Sequence, residues 1–424
     1  MHLSRRTFLL SSASGAVAAL TARRASAGAN STVVLALMGA NDRGSQLATA
    51  IAKLPGVEFA YVCDPDERAI GKGIAAATSS GGRRPQGIKD FRKALDDHSV
   101  DALVCAAPNH WHAPATIIAC GAGKHVYVEK PCSHTPDEGE RMIAAAHNSS
   151  RVVQVGTQRR SGPLYREAMA RIRQGEIGDV LLAKCWYFGE RPTIGHGKSM
   201  NPPAWLDYDL WQGPAQAQPY RDNLIHYNWH FFWHWGNGEI GNNGVHTIDL
   251  CRWALGVDFP TRVTATGGRF RFQDDQETPD TCSAIWECGG KILSWEGVSW
   301  SRSLAPVQSV GIELRGSSGT MKIDDFGCNT FDHAGKLIGK AEGSRGDAEH
   351  LQNFLDAVRG NSSDVNATVE EGHKSALMCH LANISYRTGR SLEIDPTNGH
   401  LRDSKIAAEH WQRPYRSGWL PQTS

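Results

Sequence analysis

No Cys-x-x-Cys pair and no zinc-ligand spacing occurs among the ten cysteines of this 424-residue chain. Cys63, Cys105, Cys120, Cys132, Cys185, Cys251, Cys282, Cys288, Cys328 and Cys379 are scattered, several of them inside apolar runs. They read as core residues, not as a metal centre or a disulfide framework, and no metal is expected. Any block or stripe of Lys and Arg is missing too, which removes the electrostatic footprint of a nucleic-acid binder. Neither charge dominates, with 45 basic against 44 acidic side chains. Internal repeats and long low-complexity linkers are absent, so the chain is not a repeat array. What is present is ordinary globular composition, 40% hydrophobic and 21% charged, in a length that suits two domains.

The amino terminus carries the first specific signal. Ser4-Arg5-Arg6-Thr7-Phe8-Leu9 is a twin-arginine pattern, followed by a mildly apolar stretch from Leu9 to Leu20 and an Ala25-Ser26-Ala27 cleavage site. The apolar stretch is too short to span a bilayer as a mature helix, so no membrane anchor is expected. Arg23 and Arg24 beside the cleavage site suit the twin-arginine route, which exports folded proteins. The expectation is a periplasmic or otherwise extracytoplasmic protein. Without the leader's four arginines the balance becomes 41 basic to 44 acidic residues.

Beyond the leader, Thr32 to Met38 is a continuous apolar run, as in a buried parallel strand. Strand patterns recur at Val57 to Val62, Asp101 to Ala106, His125 to Val128 and Val152 to Val155, with helical stretches such as Ser45 to Lys53 between them. That alternation predicts a doubly wound α/β sheet. Further strands are expected at Val180 to Phe188, Val263 to Phe272, Ser283 to Trp286, Ile292 to Val298 and Ser309 to Arg315, with helices at Leu164 to Gln174, Glu349 to Val358 and Glu370 to Thr388. Many successive strands with few helices predict a second α/β domain built on a large, mostly antiparallel open sheet. The division expected is a signal peptide at 1–27, a dinucleotide-binding Rossmann domain at 28–155, and a substrate-binding and oligomerisation domain at 156–424.

Gly39-Ala40-Asn41-Asp42-Arg43-Gly44 follows the first strand and opens a helix. This is the G-x-G-x-x-G position with Asn41 in place of the middle glycine. Gly39 serves the tight turn and Gly44 the close helix–strand packing, leaving backbone N–H groups for a pyrophosphate. Asn41 is tolerable there because asparagine accepts a positive φ better than most residues. Asp64, at the end of the second strand and 20 residues after Gly44, is placed to accept hydrogen bonds from an adenosine ribose. A carboxylate there repels a 2′-phosphate, so NAD is expected over NADP.

Two segments fall at carboxyl ends of parallel strands, where ligands bind in such sheets: Ala107-Pro108-Asn109-His110-Trp111-His112 and Glu129-Lys130-Pro131. Downstream lie His226-Tyr227-Asn228-Trp229-His230, Gly236-Asn237-Gly238, Gly241-Asn242-Asn243-Gly244-Val245-His246-Thr247-Ile248-Asp249, Glu370-Glu371-Gly372-His373 and Arg413-Pro414-Tyr415. With these motifs the whole mature chain resembles the glucose–fructose oxidoreductase and inositol dehydrogenase (Gfo/Idh/MocA) family. The resemblance implies an NAD-dependent oxidoreductase moving a hydride between tightly held NAD and a secondary alcohol of a sugar, glycoside or polyol, assembled as a homodimer or homotetramer. It implies cofactor contacts from Gly39, Asn41, Asp42, Arg43, Gly44, Asp64, Pro108, Asn109, His112, Glu129 and Lys130. Lys130 would stabilise the developing alkoxide. The family's D-x-x-x-H motif falls on Asn242 and His246, making His246 the general acid/base, while Asn242 can orient a group but cannot take a proton.

For substrate contacts the candidates are Lys130, Arg159, His226, Trp229, His230, Asn242 and His246. Arg159 and Arg160 suit either substrate or a domain interface. Trp229, Phe231, Phe232, Trp233 and Trp235 divide between sugar-facing and core positions. On a helix, His226, His230 and His234 would share one face, but hydrogen bonds to sugar hydroxyls fit them better than a metal. Two other readings share the pattern: a glycosidase acting by transient oxidation and elimination, and a non-catalytic sugar-binding protein.

Overall fold

The computed structural model describes residues 32–303, 308–362 and 364–419; the twin-arginine segment lies outside the described residues. Six strands form the first sheet: β1 (Val33–Met38), β2 (Val57–Cys63), β3 (Gln86–Ile88), β4 (Ala102–Cys105), β5 (His125–Val128) and β6 (Val153–Val155). Their order is β3-β2-β1-β4-β5-β6, and every pairing is parallel. Helices α1 (Asp42–Ile51), α2 (Glu67–Ala77), α3 (Asn109–Gly121) and α4 (Pro136–Ser149) make the crossovers. All four residues of β4 are buried, as a strand covered on both faces requires. The order reverses between β1 and β4, which opens the crevice beyond their carboxyl ends.

Beyond β6 run α5 (Pro163–Arg173) and the nine strands of the second sheet: β7 (Val180–Phe188), β8 (Arg262–Gly268), β9 (Thr281–Cys288), β10 (Lys291–Val298), β11 (Val310–Gly316), β12 (Gly319–Asp324), β13 (Cys328–Asp332), β14 (Leu337–Ala341) and β15 (Leu392–Glu393). Their order is β14-β13-β12-β11-β7-β10-β9-β8-β15. The β7–β10 pairing is parallel and the others are antiparallel. One face packs on α6 (Val245–Leu255) and α8 (Val369–Thr388), the latter preceded in sequence by α7 (Asp347–Val358). Trp286 is wholly buried there and donates its indole N–H to Met378 O at 3.1 Å. Burial alternates along β9, and Leu181 and Ile285 stand half exposed on the outer face.

The strand expected to run to Phe272 stops at Gly268, because the backbone N–H groups of Phe270 and Arg271 turn onto the Asp280 carboxylate. Strands β3, β12 to β14 and β15 were not expected. All ten cysteines are unpaired and buried. A separate aromatic cluster, with Leu206, Tyr208, Trp211, Tyr220, Phe232 and Trp235 at its centre, forms between β7 and α6. It is tied to the β2–α2 turn: Glu67 N donates to Trp205 O at 3.1 Å, Asp207 N donates to Pro65 O at 2.9 Å, and the Arg68 guanidinium lies 3.3 Å from the Trp205 ring centre.

Candidate active site

The β1–α1 turn is built by its glycines. Gly39 takes a φ of +82°, and a side chain there would meet Ala107 N at 2.6 Å. A Cβ on Gly44 would fall 1.7 Å from Gly39 O. Asn41 needs no left-handed tolerance, because its φ is −77°; Gly39 absorbs the positive φ instead. The Asn41 side chain turns outward and accepts from Lys72 Nζ at 2.9 Å. It makes no capping bond to the first turn of α1, so those N–H groups keep the direction an anion needs. Asp42 is exposed at the cleft edge.

Asp64 holds this turn from below. Its Oδ2 accepts from Ala40 N at 2.7 Å and its Oδ1 from Asp66 N at 2.8 Å. Burial raises its pKa to about 6, against the lowering effect of those two bonds. At the end of β4, Pro108 precedes α3, Asn109 donates to Asn237 Oδ1 at 3.0 Å, and the His112 ring lies between the carbonyls of Pro131 and Ala107. At the end of β5, Glu129 accepts from Arg43 Nε at 2.8 Å. Burial alone would raise the Glu129 pKa, but the Arg43 charge holds it below the ordinary value.

Lys130 is the centre of the site. Its Nζ donates to Asn242 O at 2.7 Å and to Asn242 Oδ1 at 3.0 Å. Burial lowers its pKa to about 8, with Glu129 opposing the shift. Asn242 lies in a π-helical turn, Ile240–Gly244, that runs into α6, a widened turn of the kind often found at functional sites. Its amide Nδ2 reaches the Tyr227 hydroxyl at 3.3 Å.

The roof comes from the aromatic insertion. His226 Nε2 lies 2.8 Å from Asp66 Oδ2, Trp229 and His230 stack with ring centres 3.6 Å apart, and His230 Nδ1 bonds Tyr227 O at 2.6 Å. The histidines share no helical face. Only a short 3₁₀ turn, Asn228–Phe231, forms, and His234 bonds Gln216 O instead. Phe231, Phe232 and Trp235 are buried, whereas Trp229 lines the cleft.

Together these groups enclose a cleft of about 520 Å³. Gly39, Asn41, Asp42, Arg43, Gly44, Asp64, Pro108, Asn109, His112, Glu129, Lys130, His226, Trp229, His230 and Asn242 all line it. Two sequence-selected residues do not. Arg159 pairs with Asp325 at 2.8 Å. His246 lies one turn beyond Asn242, with a buried and unpartnered Nδ1. Burial holds His246 well below the ordinary histidine pKa, and the charges acting on it, Lys130, Arg159, Arg43 and Arg345, are all cations. Arg160 is an anchor: its guanidinium grips buried Asp249 at 2.8 to 3.0 Å. Sequence reasoning passed over Tyr227 and Trp211, which also line the cleft. Tyr227 was flanked by selected residues on both sides, and its φ of +90°, rare for a tyrosine, is visible only in three dimensions.

The residues fit a dinucleotide: a cradle that a single Cβ would fill, free N–H groups at a helix start, and a buried carboxylate at the second strand's end. Residues 29–157 match the family model described as the oxidoreductase family, NAD-binding Rossmann fold, and residues 211–322 match the GFO/IDH/MocA C-terminal domain. Inositol 2-dehydrogenase 2 of Saccharopolyspora erythraea is 30% identical over 234 residues, 55% of this chain and 55% of that protein. Levoglucosan dehydrogenase of Pseudarthrobacter phenanthrenivorans is 26% identical over 223 residues, 52% and 50% of the two chains. The chain thus spans about half the length of these curated relatives. Among solved structures, the WlbA dehydrogenase of Bordetella pertussis in complex with NADH and UDP-GlcNAcA superposes with a TM-score of 0.65 at 20% identity, over 86% of this chain and 99% of that one, a likeness of fold. With two matched spans from one family covering more than half of its length, each on its own sheet, the chain belongs to the Gfo/Idh/MocA oxidoreductase family and carries that family's NAD-binding Rossmann domain.

Proposed function

We propose that the protein is an NAD-dependent oxidoreductase acting on a secondary alcohol of a sugar, glycoside or polyol. The observation that carries this reading is Lys130. Its amine sits at the end of β5, in the same cleft as the glycine turn and Asp64, and is fixed by two hydrogen bonds to Asn242. Bound nicotinamide supplies the hydride acceptor or donor. Lys130 places a positive or proton-donating group where an alkoxide develops, a stabilisation of roughly 10²–10³-fold in related cases. Trp229 offers a ring face and His226 and His230 offer ring nitrogens to a polyhydroxylated substrate. The relatives named for inositol and levoglucosan support this substrate class.

The test is product analysis after incubating the protein and NAD with myo-inositol, levoglucosan and a panel of glycosides. A keto product with equimolar NADH is expected. A free reducing sugar with unchanged cofactor would instead mean transient oxidation and elimination, and no product at all would sink the reading.

Asp64 gives this reading a cofactor test. Asp64→Ala should weaken NADH binding roughly 10–100-fold, the loss of hydrogen bonds to a charged group, and should narrow the preference for NAD over NADP. The ionised carboxylate is the form that accepts ribose hydroxyls. With Asp64 raised to about 6 by burial, NADH affinity should fall as pH drops through that value, and the alanine variant should lose this dependence. Fluorescence titration between pH 5 and 8 reads both effects.

We further propose export in the folded state through the Arg5-Arg6 leader, and assembly through the outer face of the second sheet, where Leu181 and Ile285 are half exposed. Delivery of an Arg5→Lys, Arg6→Lys variant outside the cytoplasm would refute the first. A monomer by light scattering at micromolar concentration would refute the second.

A further inference from the structure

We propose that Asn237 is a positioning residue for the cofactor: it turns the Asn109 amide so that its oxygen, and not its NH₂, faces the dinucleotide cleft, where it accepts from a hydroxyl or N–H group of the bound dinucleotide. This rests on the NAD-binding half of the reading above and not on the identity of the alcohol.

Asn237 lies in the Gly236-Asn237-Gly238 segment, behind the cleft wall, where four parts of the chain meet. Its Nδ2 donates to His134 O at 3.0 Å, on the segment that leads from Lys130 to α4. Its Oδ1 accepts from Asn109 Nδ2 at 3.0 Å, at the start of α3. Its backbone oxygen accepts from Asn383 Nδ2, on α8, also at 3.0 Å. All three asparagines are buried. Gly241 makes the room, since a side chain there would place its Cβ 2.5 Å from Asn237 Cβ.

An asparagine amide has much the same shape either way round, so its neighbours decide which end faces them. A backbone carbonyl can only accept. His134 O therefore requires the nitrogen of Asn237, which leaves Asn237 Oδ1 toward Asn109. That oxygen also only accepts, so it requires the nitrogen of Asn109. Turning either amide, or both, sets two oxygens against each other. The sequence of constraints begins at a group with no second option, passes through two amides and ends at Asn109 Oδ1.

Asn109 lines the dinucleotide cleft although it is only 2% exposed, and its Oδ1 bonds nothing else among the described residues. A buried acceptor bears the full cost of its desolvation unless something donates to it, and the dinucleotide is what reaches this wall. An oxygen here selects a hydroxyl or N–H group and repels phosphate. That choice matters because Asn109 opens α3, and the N–H groups of a helix start attract anions. The Asn109 oxygen opposes that pull and leaves the pyrophosphate to the glycine turn at α1. The spacing of the two strand ends has a separate tie, the His112 ring between the carbonyls of Ala107 and Pro131. What Asn237 adds is direction.

The test is a double-variant cycle on the full-length protein freed of nucleotide, read by NADH fluorescence titration with no alcohol present. Asn237→Ala and Asn109→Ala should each weaken NADH binding about tenfold, and the double variant should also lose about tenfold, because both residues act through one bond. A loss of about a hundredfold in the double variant, which is simple additivity, or unchanged affinity in Asn237→Ala, overturns the positioning role. Asn237→Ser, which removes less volume, carries the same cycle should the alanine variant not fold. Reduced 3-acetylpyridine adenine dinucleotide, with a methyl in place of the carboxamide NH₂, then locates the donor. If the weaker binding of this analogue to the unaltered protein disappears in Asn237→Ala, the donor is the carboxamide; if it is the same in both, the donor lies elsewhere on the dinucleotide. Failure of the unaltered protein to bind NADH sinks the cofactor reading itself, whereas additivity in the cycle sinks only the role of Asn237.

Discussion

Replacing Lys130 with methionine is expected to lower kcat by roughly 10²–10⁴-fold while NADH binding persists. Methionine keeps the length and apolar character of the stem, so the end of β5 should pack as before. It removes the group that donates to both oxygens of Asn242 and with it a cleft cation that has no carboxylate within salt-bridge distance among the described residues, whereas Arg43 is committed to Glu129. The loss should appear in kcat and kcat/KM alike, because the missing interaction forms as charge develops on the substrate oxygen. A primary isotope effect with a carbon-deuterated alcohol should grow in the variant as the chemical step becomes limiting. Wild-type kcat in Lys130→Met would place the reacting centre elsewhere.

Asp249→Ala should destabilise the protein by about 3–5 kcal/mol, the cost of leaving a buried charge without its partner. Asp249 is almost wholly buried on α6. It receives two bonds from Arg160 Nε, one from Arg160 Nη2 and one from Ser375 on α8, with the Arg252 guanidinium 4.0 Å away. Without its carboxylate two buried guanidinium groups share Glu371, which bonds both. The expected change is a large fraction of a typical folding free energy of about 5–15 kcal/mol. Urea unfolding should show it as a lower midpoint, and Arg160→Met combined with Asp249→Leu should lose less than the two single changes added together.

The same network sets an acid limit. Burial would raise Glu371, but Arg252 and Arg160 hold it down at about 2. A carboxylate depressed on folding stabilises above its unfolded value of about 4.3, and that contribution is lost as pH falls from there toward 2. The Asp249→Ala variant leans on Glu371 more heavily, so its stability should fall more steeply across that interval.

Much of the Rossmann half was legible because its signals are local. The run ending at Met38, the glycines at 39 and 44 and the acid at 64 each declare their place within a few residues, and the doubly wound alternation is present, with the three-residue edge strand β3 added to the five strands expected. The second sheet was legible where strands are long and alternating, as in β7, β9 and β10. It was not legible at β12 to β14, whose five- and six-residue strands sit between turns and take their pairing from neighbours. In the site, Lys130 and Asn242 were readable from motifs, but their mutual contact spans 112 residues and has no trace in either segment. Periodicity misled at His226, His230 and His234, because i, i+4 spacing has meaning only on a helix and this segment is pinned instead by His226 on Asp66 and His234 on Gln216. Tyr227 was missed for a related reason: its contact to the Asn242 amide spans 15 residues, and an aromatic among aromatics carries no label.

The ten unpaired cysteines bear on how the molecule meets its surroundings. Each is buried, and burial raises the thiols of Cys63, Cys105, Cys120, Cys132, Cys282, Cys288 and Cys328 above their ordinary values. Thiolate is the reactive form, so the folded state offers oxidants and alkylating agents almost nothing to attack. No bridge has to form or survive for the fold to hold, which leaves it indifferent to the redox potential on either side of a membrane. A thiol reagent then works as a clock. Its rate of labelling counts openings of the structure, and because Cys63 and Cys105 report on the first sheet and Cys282 and Cys288 on the second, it times the two halves separately.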